Sequence, residues 1–222
     1  MDDIPVSDAV ARFARAVGPA PDDVLAEMDA HAEDVGFPTV GPEVGGWLRL
    51  LARAVDAERA FEFGSGFGYS AYWLAGALPA DGQVVLTEVD ADELDLAREY
   101  LARGGYDDRA VFEHGDAVDV VADYDGPFDV VLIDNEKDRY VEAFEAVREA
   151  VQPGGIVLAD NAMTAGHVDF EALLADADGG DPAMNDATRG IADYLARVGD
   201  DPDFETTLLP LGEGVTVSLR HR

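Results

Sequence analysis

The sequence predicts an α/β protein in which a mostly parallel sheet carries helices on both faces. From Ala60 onward, short apolar runs alternate with segments of helical period. Strands that alternate with helices are joined by right-handed crossovers and therefore form a parallel sheet. Two β-rich runs near the C-terminus are separated by a short turn with two glycines, which predicts a final antiparallel hairpin.

The first 57 residues are predicted to form a helical N-terminal segment. Ser7 is expected to cap a helix that continues to Val17, a second helix runs from Pro21 to about Val35, and a third covers Glu43–Val55. The spacing in the third helix places five apolar side chains on one face, namely Trp47, Leu48, Leu50, Leu51 and Val55.

Residues 58–222 are predicted to form the α/β core, and no linker composition separates the two parts, so we expect a single domain over residues 1–222. The predicted strands are Ala60–Phe63, Val84–Thr87, Ala110–Phe112, Phe128–Ile133 and Gly155–Ala159. The predicted helices are Tyr69–Leu78, Asp92–Arg103 and about Arg139–Val151. The hairpin strands are Phe204–Pro210 and Val215–Leu219.

The charge of the chain is strongly negative. Asp and Glu number 47 against 15 Lys and Arg, which gives a formal net charge of -32. Such a surface repels itself unless salt screens it, and the composition resembles that of halophilic proteins. Dispersed cations supply no basic patch for phosphates, so a nucleic-acid partner is not expected.

The sequence also excludes several classes of protein. It has no cysteine, which rules out disulfides, zinc–thiolate sites and cysteine nucleophiles. No apolar run is long enough to cross a bilayer, and the N-terminus lacks the pattern of a signal peptide. We therefore expect a cytoplasmic protein with no membrane association.

A glycine-rich turn follows the first predicted strand, with the sequence Glu62-Phe63-Gly64-Ser65-Gly66-Phe67-Gly68-Tyr69-Ser70. Glycines at a strand-to-helix turn let the backbone approach a ligand closely. Tyr69 stands where a dinucleotide fingerprint requires glycine. The acid at Glu62 instead suits a ligand that carries an ammonium group. The alternative is a glycine turn without a special function.

Acids also follow the second and third strands. Glu88 ends the strand after the glycine turn, from where a carboxylate can accept both hydroxyls of a ribose. Asp116 and Ala117 follow the third strand, where an adenine ring would lie, and Asp116 could accept a bond from its amino group. Each acid could equally be a turn or loop residue.

A second polar cluster follows the two central strands. Asp134 comes directly after one strand, and Asp160 and Asn161 follow the other. The carboxyl ends of neighbouring parallel strands share one crevice. Two carboxylates and an amide there match the oxygen ligands of Mg²⁺. The sequence therefore predicts a divalent metal site.

Lys137 is the only lysine among the 15 basic residues, and it lies beside the predicted metal site. An ammonium group can lose a proton, whereas a guanidinium cannot, so Lys137 is a candidate general base. The alternative is a simple ion pair between Lys137 and Asp134 or Asp138.

On these residues the chain resembles class I S-adenosylmethionine (SAM)-dependent O-methyltransferases of the catechol and caffeoyl-CoA type, from about Thr39 to Leu219. The resemblance implies a Rossmann-like, seven-stranded sheet with a reversed terminal hairpin, and commonly a homodimer. It implies SAM and Mg²⁺ or another divalent cation as cofactors. The residues implied to bind SAM are Val40, Glu62, Gly64, Gly66, Ser70, Glu88, Asp116, Ala117 and Asp134.

The same resemblance implies that Asp134, Asp160 and Asn161 bind the metal and that Lys137 and Asp134 are catalytic. The chain departs from the family at Asn135 and Glu136, where bacterial relatives usually have Ala-Asp and animal catechol enzymes have an aromatic residue in place of Glu136. The expected reaction is O-methylation of a small phenol or diol. The alternatives are methylation of tRNA hydroxyuridine, or a nucleotide- or SAM-binding protein without catalysis.

Overall fold

The computed structural model describes residues 8–222. Three helices come first: α1 (Asp8–Val17), α2 (Asp23–Val35) and α3 (Gly41–Ala54). Helix α2 begins after Asp22, whose side chain accepts a hydrogen bond from the Leu25 amide at 2.9 Å. The predicted cap at Ser7 lies outside the described residues.

Seven strands and six helices follow. The strands are β1 (Arg59–Phe63), β2 (Gln83–Glu88), β3 (Ala110–His114), β4 (Phe128–Ile133), β5 (Val151–Ala159), β6 (Phe204–Leu209) and β7 (Val215–Arg220). The helices are α4 (Tyr69–Ala75), α5 (Ala91–Arg103), α6 (Ala117–Val121), α7 (Tyr140–Val147), α8 (Phe170–Ala177) and α9 (Asp186–Gly199).

The strands form one sheet in the order β3-β2-β1-β4-β5-β7-β6. The first five strands in this order pair in parallel, whereas β7 is antiparallel to both β5 and β6. Because the chain enters β4 on the opposite side of β1 from β2, the strand order reverses between β1 and β4. Ligands of such sheets bind at the carboxyl ends of the strands where the order reverses.

Apolar side chains of alternate strand residues fill two cores, one on each face of the sheet. The core under α2–α5 contains Leu86, Leu132 and Leu158. The core under α6–α9 contains Phe63 and Ile133. The strands are therefore covered on both faces, as the sequence predicted, and the predicted fold class is confirmed.

Several boundaries differ from the prediction. The helix predicted over Arg139–Val151 is limited to α7, between two short 3₁₀ turns, and β5 begins earlier, at Val151. Helices α6, α8 and α9 were not predicted. In α3 the predicted apolar face is divided: Leu48 is buried, whereas Trp47 and Leu50 are 40% and 55% exposed.

Candidate active site

A cavity of about 640 Å³ opens at the carboxyl ends of β1, β2, β4 and β5. Loops that follow these strands form its floor, and residues 37–40, which precede α3, form one wall. We call the part near the glycine turn, Glu88 and Asp116 the donor half. The part near Asp134, Lys137, Asp160, Asn161 and Glu213 is the acceptor half. All the predicted site residues except Glu62 line this one cavity.

The floor of the donor half is backbone, and glycine is required there. Gly64 has a φ of 78°, and a Cβ atom on it would lie 2.7 Å from the carbonyl oxygen of Asp134. Gly66 has a φ of 48° and its amide faces Glu88. Side chains at these positions would be strained and would displace the neighbouring loop. The turn therefore brings backbone amides to the cavity surface.

Glu62 lies behind this floor. Its side chain is fully buried, one carboxylate oxygen accepts a hydrogen bond from the Ser70 hydroxyl, and the other oxygen has no partner. Burial raises the pKa of Glu62 to about 8, and the Ser70 bond lowers it only in part. Ser70 itself lines the cavity, as does Val40, which directly precedes α3.

Glu88 and Asp116 are held by bonds of their own. Glu88 accepts hydrogen bonds from the amides of Gly66 (2.8 Å), Val89 (2.8 Å) and Asp90 (3.0 Å). Asp116 caps α6 by accepting from the Val118 amide at 2.9 Å. These bonds fix both carboxylates at the cavity wall before any ligand binds.

Arg139 is a cavity residue that the sequence analysis missed. Its guanidinium lies 2.6 Å from Asp116 and 2.8 Å from Glu142. The hydrogen bond from Arg139 is the main cause of the lowered pKa of Asp116. The sequence analysis named Arg139 only as the start of a helix. Its position three residues after Glu136, in the loop that follows a strand, could have indicated that it lies at the cavity.

In the acceptor half, Lys137 extends over the loop after β4. Its ammonium nitrogen lies 3.2 Å from Asp134 Oδ1 and donates a hydrogen bond to the Asn135 carbonyl oxygen at 3.1 Å. It also lies 5.1 Å from the centre of the Tyr140 ring. The amine is thus held at the cavity surface, and the ion pair with Asp134 that was the alternative interpretation is present as well.

Asp160 and Asn161 lie beside this pair. Asp160 is buried, and its Oδ1 atom has no hydrogen-bond partner. Burial, followed by the charge of Asp134, raises the pKa of Asp160 well above its ordinary value. Asn161 has a φ of 58°, and its amide donates to Glu213 at 2.5 Å.

Glu213 is the second residue that the sequence analysis missed. It lies in the turn between β6 and β7, a region distant in sequence from the rest of the site. Backbone bonds between this turn and residues 162–164 bring it to the cavity, because the amides of Met163 and Thr164 donate to the Glu213 carbonyl oxygen. The hairpin motif was recognised, but nothing in the sequence paired its turn with the loop after β5.

The acceptor half has an excess of negative charge. Asp134, Asp160 and Glu213 face one ammonium, and burial raises the pKa of each of the three carboxyl groups. The unpartnered Asp160 oxygen and the side-chain oxygen of Asn161 would suit a divalent cation. Within residues 8–222, no three His, Cys, Asp or Glu side chains are placed to hold a metal ion. The predicted set has only two carboxylates, so the metal site stays a prediction.

With this geometry in view, comparison with known proteins identifies the family. The O-methyltransferase family profile matches residues 23–221. The chain belongs to the O-methyltransferase family. It is 31% identical over 196 residues to the catechol O-methyltransferase of Niastella koreensis, covering 86% of this chain and 84% of that one. It is 27% identical to caffeoyl-CoA O-methyltransferase 2 of Populus trichocarpa, covering 82% and 74%.

Solved structures of O-methyltransferases have the same fold. The enzyme from Bacillus cereus, in complex with SAH, matches with a TM-score of 0.82 and 25% identity, covering 96% of this chain and 97% of that chain. TomG from Streptomyces achromogenes, in complex with SAM, has a TM-score of 0.83 and 25% identity, with 96% of each chain covered. The chain is thus a SAM-dependent O-methyltransferase, as the sequence resemblance implied.

Proposed function

We propose that this methyltransferase transfers a methyl group to a hydroxyl of a small phenol or diol with the help of a divalent cation. The observation that supports this most is the acceptor half, where the only lysine lies beside the partly buried Asp134 and the buried, unpartnered Asp160, so negative charge exceeds positive charge. A hydroxyl acceptor needs a base, and the carboxylates need a cation. A site that offers a base and a place for a cation suits metal-assisted O-methylation.

The donor would be held by the donor half. Backbone amides of the glycine turn and the wall at Val40 would hold its methionyl part, and Glu88 would accept the ribose hydroxyls. Asp116 and Ala117 would flank the adenine. Asp134 and Lys137 follow β4, which pairs with β1 at the switch point, so the sulfonium of a donor bound there would lie on their side of the cavity.

Asp134, Asp160 and Asn161 are the residues that would hold the cation, and a bound cation would lower the pKa of the acceptor's hydroxyl. Lys137 is in position to accept the proton of the hydroxyl, because its amine is anchored at the cavity surface by Asp134 and Asn135. Positioning of the two reactants in one cavity would contribute further to the rate.

Methylation of tRNA is the weaker alternative. Glu136 and Glu213 line the cavity, and Arg139 is already bonded to Asp116 and Glu142. A phosphate backbone would meet carboxylates at this rim. A protein that binds SAM or a nucleotide without catalysis is also disfavoured, because Lys137, Asp134, Asp160 and Asn161 all line one cavity.

A methyl-transfer assay tests the proposal with a vicinal aromatic diol, a monophenol and bulk tRNA as acceptors. The assay is run in about 2 M KCl, because a chain of charge -32 is expected to need screening. We expect methylation of the diol that EDTA abolishes and Mg²⁺ restores. The halophilic character and the cytoplasmic location expected from the sequence stay predictions. Methylation of tRNA alone, or full activity in EDTA, would overturn the proposal.

Two matched variants distinguish metal binding by the predicted site from a nonspecific effect of removing one negative charge. Asp160→Asn removes a buried carboxylate of the predicted metal set, whereas Asp138→Asn removes an exposed one beside Lys137 that does not line the cavity. Mg²⁺ should raise the melting temperature of the wild type and of Asp138→Asn, but not of Asp160→Asn, because ligands that bind only the folded state stabilise it. Equal shifts in all three proteins would contradict the assigned site.

A further inference from the structure

Helix α9 contacts the acceptor half, although it lies far along the chain from Lys137. Ala187, in the first turn of α9, lines the cavity. Asn185 caps the helix by accepting a hydrogen bond from the Thr188 amide at 2.8 Å, and it donates to the His167 carbonyl oxygen at 2.7 Å. The Thr188 hydroxyl accepts from the Asp169 amide at 3.0 Å. These bonds fix the start of α9 against the loop that follows β5.

The interior of α9 contains a glycine where the helix packs against Lys137–Arg139. This segment is a single 3₁₀ turn, which we call the lysine turn. Gly190 is buried, and a Cβ atom on it would overlap the Lys137 carbonyl oxygen and lie 2.5 Å from the Cα atom of Asp138. Both are backbone atoms, so no rotation of a side chain would make room. Because glycine weakens the interior of a helix relative to alanine, its presence here indicates a packing reason, and the lysine turn provides one.

A second contact from α9 reaches Lys137 through an aromatic pair. Tyr194 is buried and meets the Tyr140 ring edge to face, with the ring centres 5.6 Å apart and the planes at 84°. The Tyr140 ring lies beneath the Lys137 ammonium, and its hydroxyl donates to the Asp160 carbonyl oxygen at 3.0 Å. Positions 187, 190 and 194 are spaced i, i+3 and i+7. One face of α9 therefore supports both the backbone and the ammonium group of Lys137.

We propose that Gly190 is a positioning residue for methyl transfer, which fixes the place of the Lys137 amine by letting α9 contact the lysine turn directly, a role that rests on the proposed function of Lys137 as the base. A base must lie within hydrogen-bond reach of the proton that it accepts. A methyl group at position 190 would force α9 and the lysine turn roughly 1 Å apart before ordinary van der Waals distances were restored. A displacement of about this size can lower a rate about a hundredfold.

Helix α9 itself offers a matched control. Its other glycine, Gly199, is exposed, and a Cβ atom on it would have no neighbour within 4 Å. Gly190→Ala and Gly199→Ala therefore add the same methyl group to the same helix. In methyl-transfer assays in about 2 M KCl, we expect Gly190→Ala to lower kcat about tenfold to a hundredfold and Gly199→Ala to stay within about twofold of wild type. Affinity for S-adenosylhomocysteine should stay within about twofold in both variants, because Gly190 contacts the lysine turn and not the donor half.

The only lysine of the chain provides a readout that does not depend on catalysis. Protein that contains ¹³C-labelled lysine gives one set of lysine side-chain signals in NMR spectra, and their chemical shifts depend on the position of Lys137 over the Tyr140 ring. In spectra recorded without added metal, we expect Gly190→Ala to shift these signals and Gly199→Ala to leave them unchanged. A glycine that serves stability alone would lower the melting temperature of Gly190→Ala but change neither kcat nor the lysine signals, and that result would overturn the proposal.

A second variant covers the case in which Gly190→Ala does not fold, which circular dichroism and binding of S-adenosylhomocysteine reveal. Tyr194→Leu removes the ring that supports Tyr140 and adds no volume at the lysine turn. It should also shift the lysine signals and lower kcat. Lysine signals of Tyr194→Leu that match those of wild type would then overturn the proposal.

The double variant with Lys137→Arg distinguishes the positioning role from the role of Lys137 itself. If Gly190 acts through Lys137, adding Gly190→Ala to Lys137→Arg should lower kcat by less than about threefold further, because the two residues belong to one interaction. Two fully additive losses would show that Gly190 acts elsewhere and would overturn the proposal. Full activity of Lys137→Arg alone would overturn the proposed base, and with it the catalytic part of this role, whereas unchanged kcat and lysine signals in Gly190→Ala would overturn the positioning role only.

Discussion

The two halves of the cavity hold their carboxylates in opposite ways. In the donor half, Glu88 accepts three backbone amide bonds, and Asp116 has an amide and the Arg139 guanidinium as partners. In the acceptor half, Asp160 has a buried oxygen without a partner, and Asp134 has one ammonium nearby. The pKa of Asp116 is lowered, whereas burial raises the pKa of Asp134 and of Asp160.

The carboxylates of the donor half therefore have their hydrogen-bond partners without a ligand, whereas those of the acceptor half lack sufficient positive charge. Carboxylates that already accept hydrogen bonds from backbone amides are held in position, so little free energy is needed to order them when a neutral ribose or adenine binds. Buried carboxylates without matching positive charge are costly, and a cation would relieve that cost. We therefore expect mutations in the donor half to change donor affinity. Mutations in the acceptor half should change the rate and the response to metal.

The largest effect is expected for Lys137→Arg, in the acceptor half. The guanidinium keeps the positive charge near Asp134 but cannot accept the acceptor's proton near neutral pH. We expect kcat to fall by about 10²–10⁴, the range typical of a lost general base, with donor affinity nearly unchanged. Fixed-time methyl-transfer assays measure kcat, and calorimetric titration with S-adenosylhomocysteine measures donor affinity.

The alternative that Lys137 only neutralises Asp134 makes the opposite prediction. An arginine at this position would then preserve both the ion pair and the activity. A pH series sharpens the distinction, because raising the pH ionises the acceptor hydroxyl in solution and should restore part of the lost rate in Lys137→Arg. Full activity of this variant near neutral pH would leave Lys137 as an ion-pair partner only.

A smaller effect is expected for Glu88→Ala, in the donor half. In the proposed binding mode, loss of the carboxylate would leave the ribose hydroxyls without an acceptor, and it also removes the partner of the Gly66 amide. The cost should be roughly 1.5–3 kcal/mol, which weakens S-adenosylhomocysteine binding about tenfold to a hundredfold. Glu113→Ala is the control, since Glu113 lies one residue before the end of the adjacent strand β3, accepts a hydrogen bond from the Tyr124 hydroxyl and does not line the cavity. If Glu88→Ala binds within a factor of two of wild type, Glu88 is only a turn residue.

The two halves also differ in what the sequence could predict. The donor half follows a local rule, since a glycine turn after β1 and acids after β2 and β3 are each readable from a strand and its next few residues. The acceptor half combines loops from β4, β5 and the β6–β7 turn. Asp134, Lys137, Asp160 and Asn161 follow strands, so their place in one cavity could be predicted, whereas that of Glu213 depends on backbone pairing across some fifty residues and could not.

The errors in the predicted fold have a similar origin. Trp47 and Leu50 satisfy a helical apolar pattern, but the pattern does not reveal whether the protein's own core covers them. Helices α8 and α9 follow the last site motif, in a region rich in Asp and Gly that obscures helical periodicity. Their caps at Asp169 and Asn185 were the available signals, since each accepts an amide bond three residues on.

The smallest expected effect is a dependence of donor binding on pH through Glu62. Burial raises its pKa to about 8, so in the free protein the group is mostly protonated near neutral pH. This raised pKa means that the stability contributed by protonated Glu62 is fully present below about pH 4.5 and is lost as the pH rises through about 8. A donor ammonium near the unpartnered oxygen would favour the carboxylate, so binding should release a proton over that same window.

S-adenosylhomocysteine should therefore bind more tightly as the pH rises from about 6 to 8, by at most about tenfold per unit. Calorimetry in two buffers of different ionisation enthalpy, near pH 7, measures the released proton directly. Glu62→Gln cannot ionise and should bind with no proton release, whereas Ser70→Ala retains the ionisable group and should still release one. If wild type and Glu62→Gln have the same pH dependence, Glu62 holds Ser70 in place and does not meet the donor's ammonium.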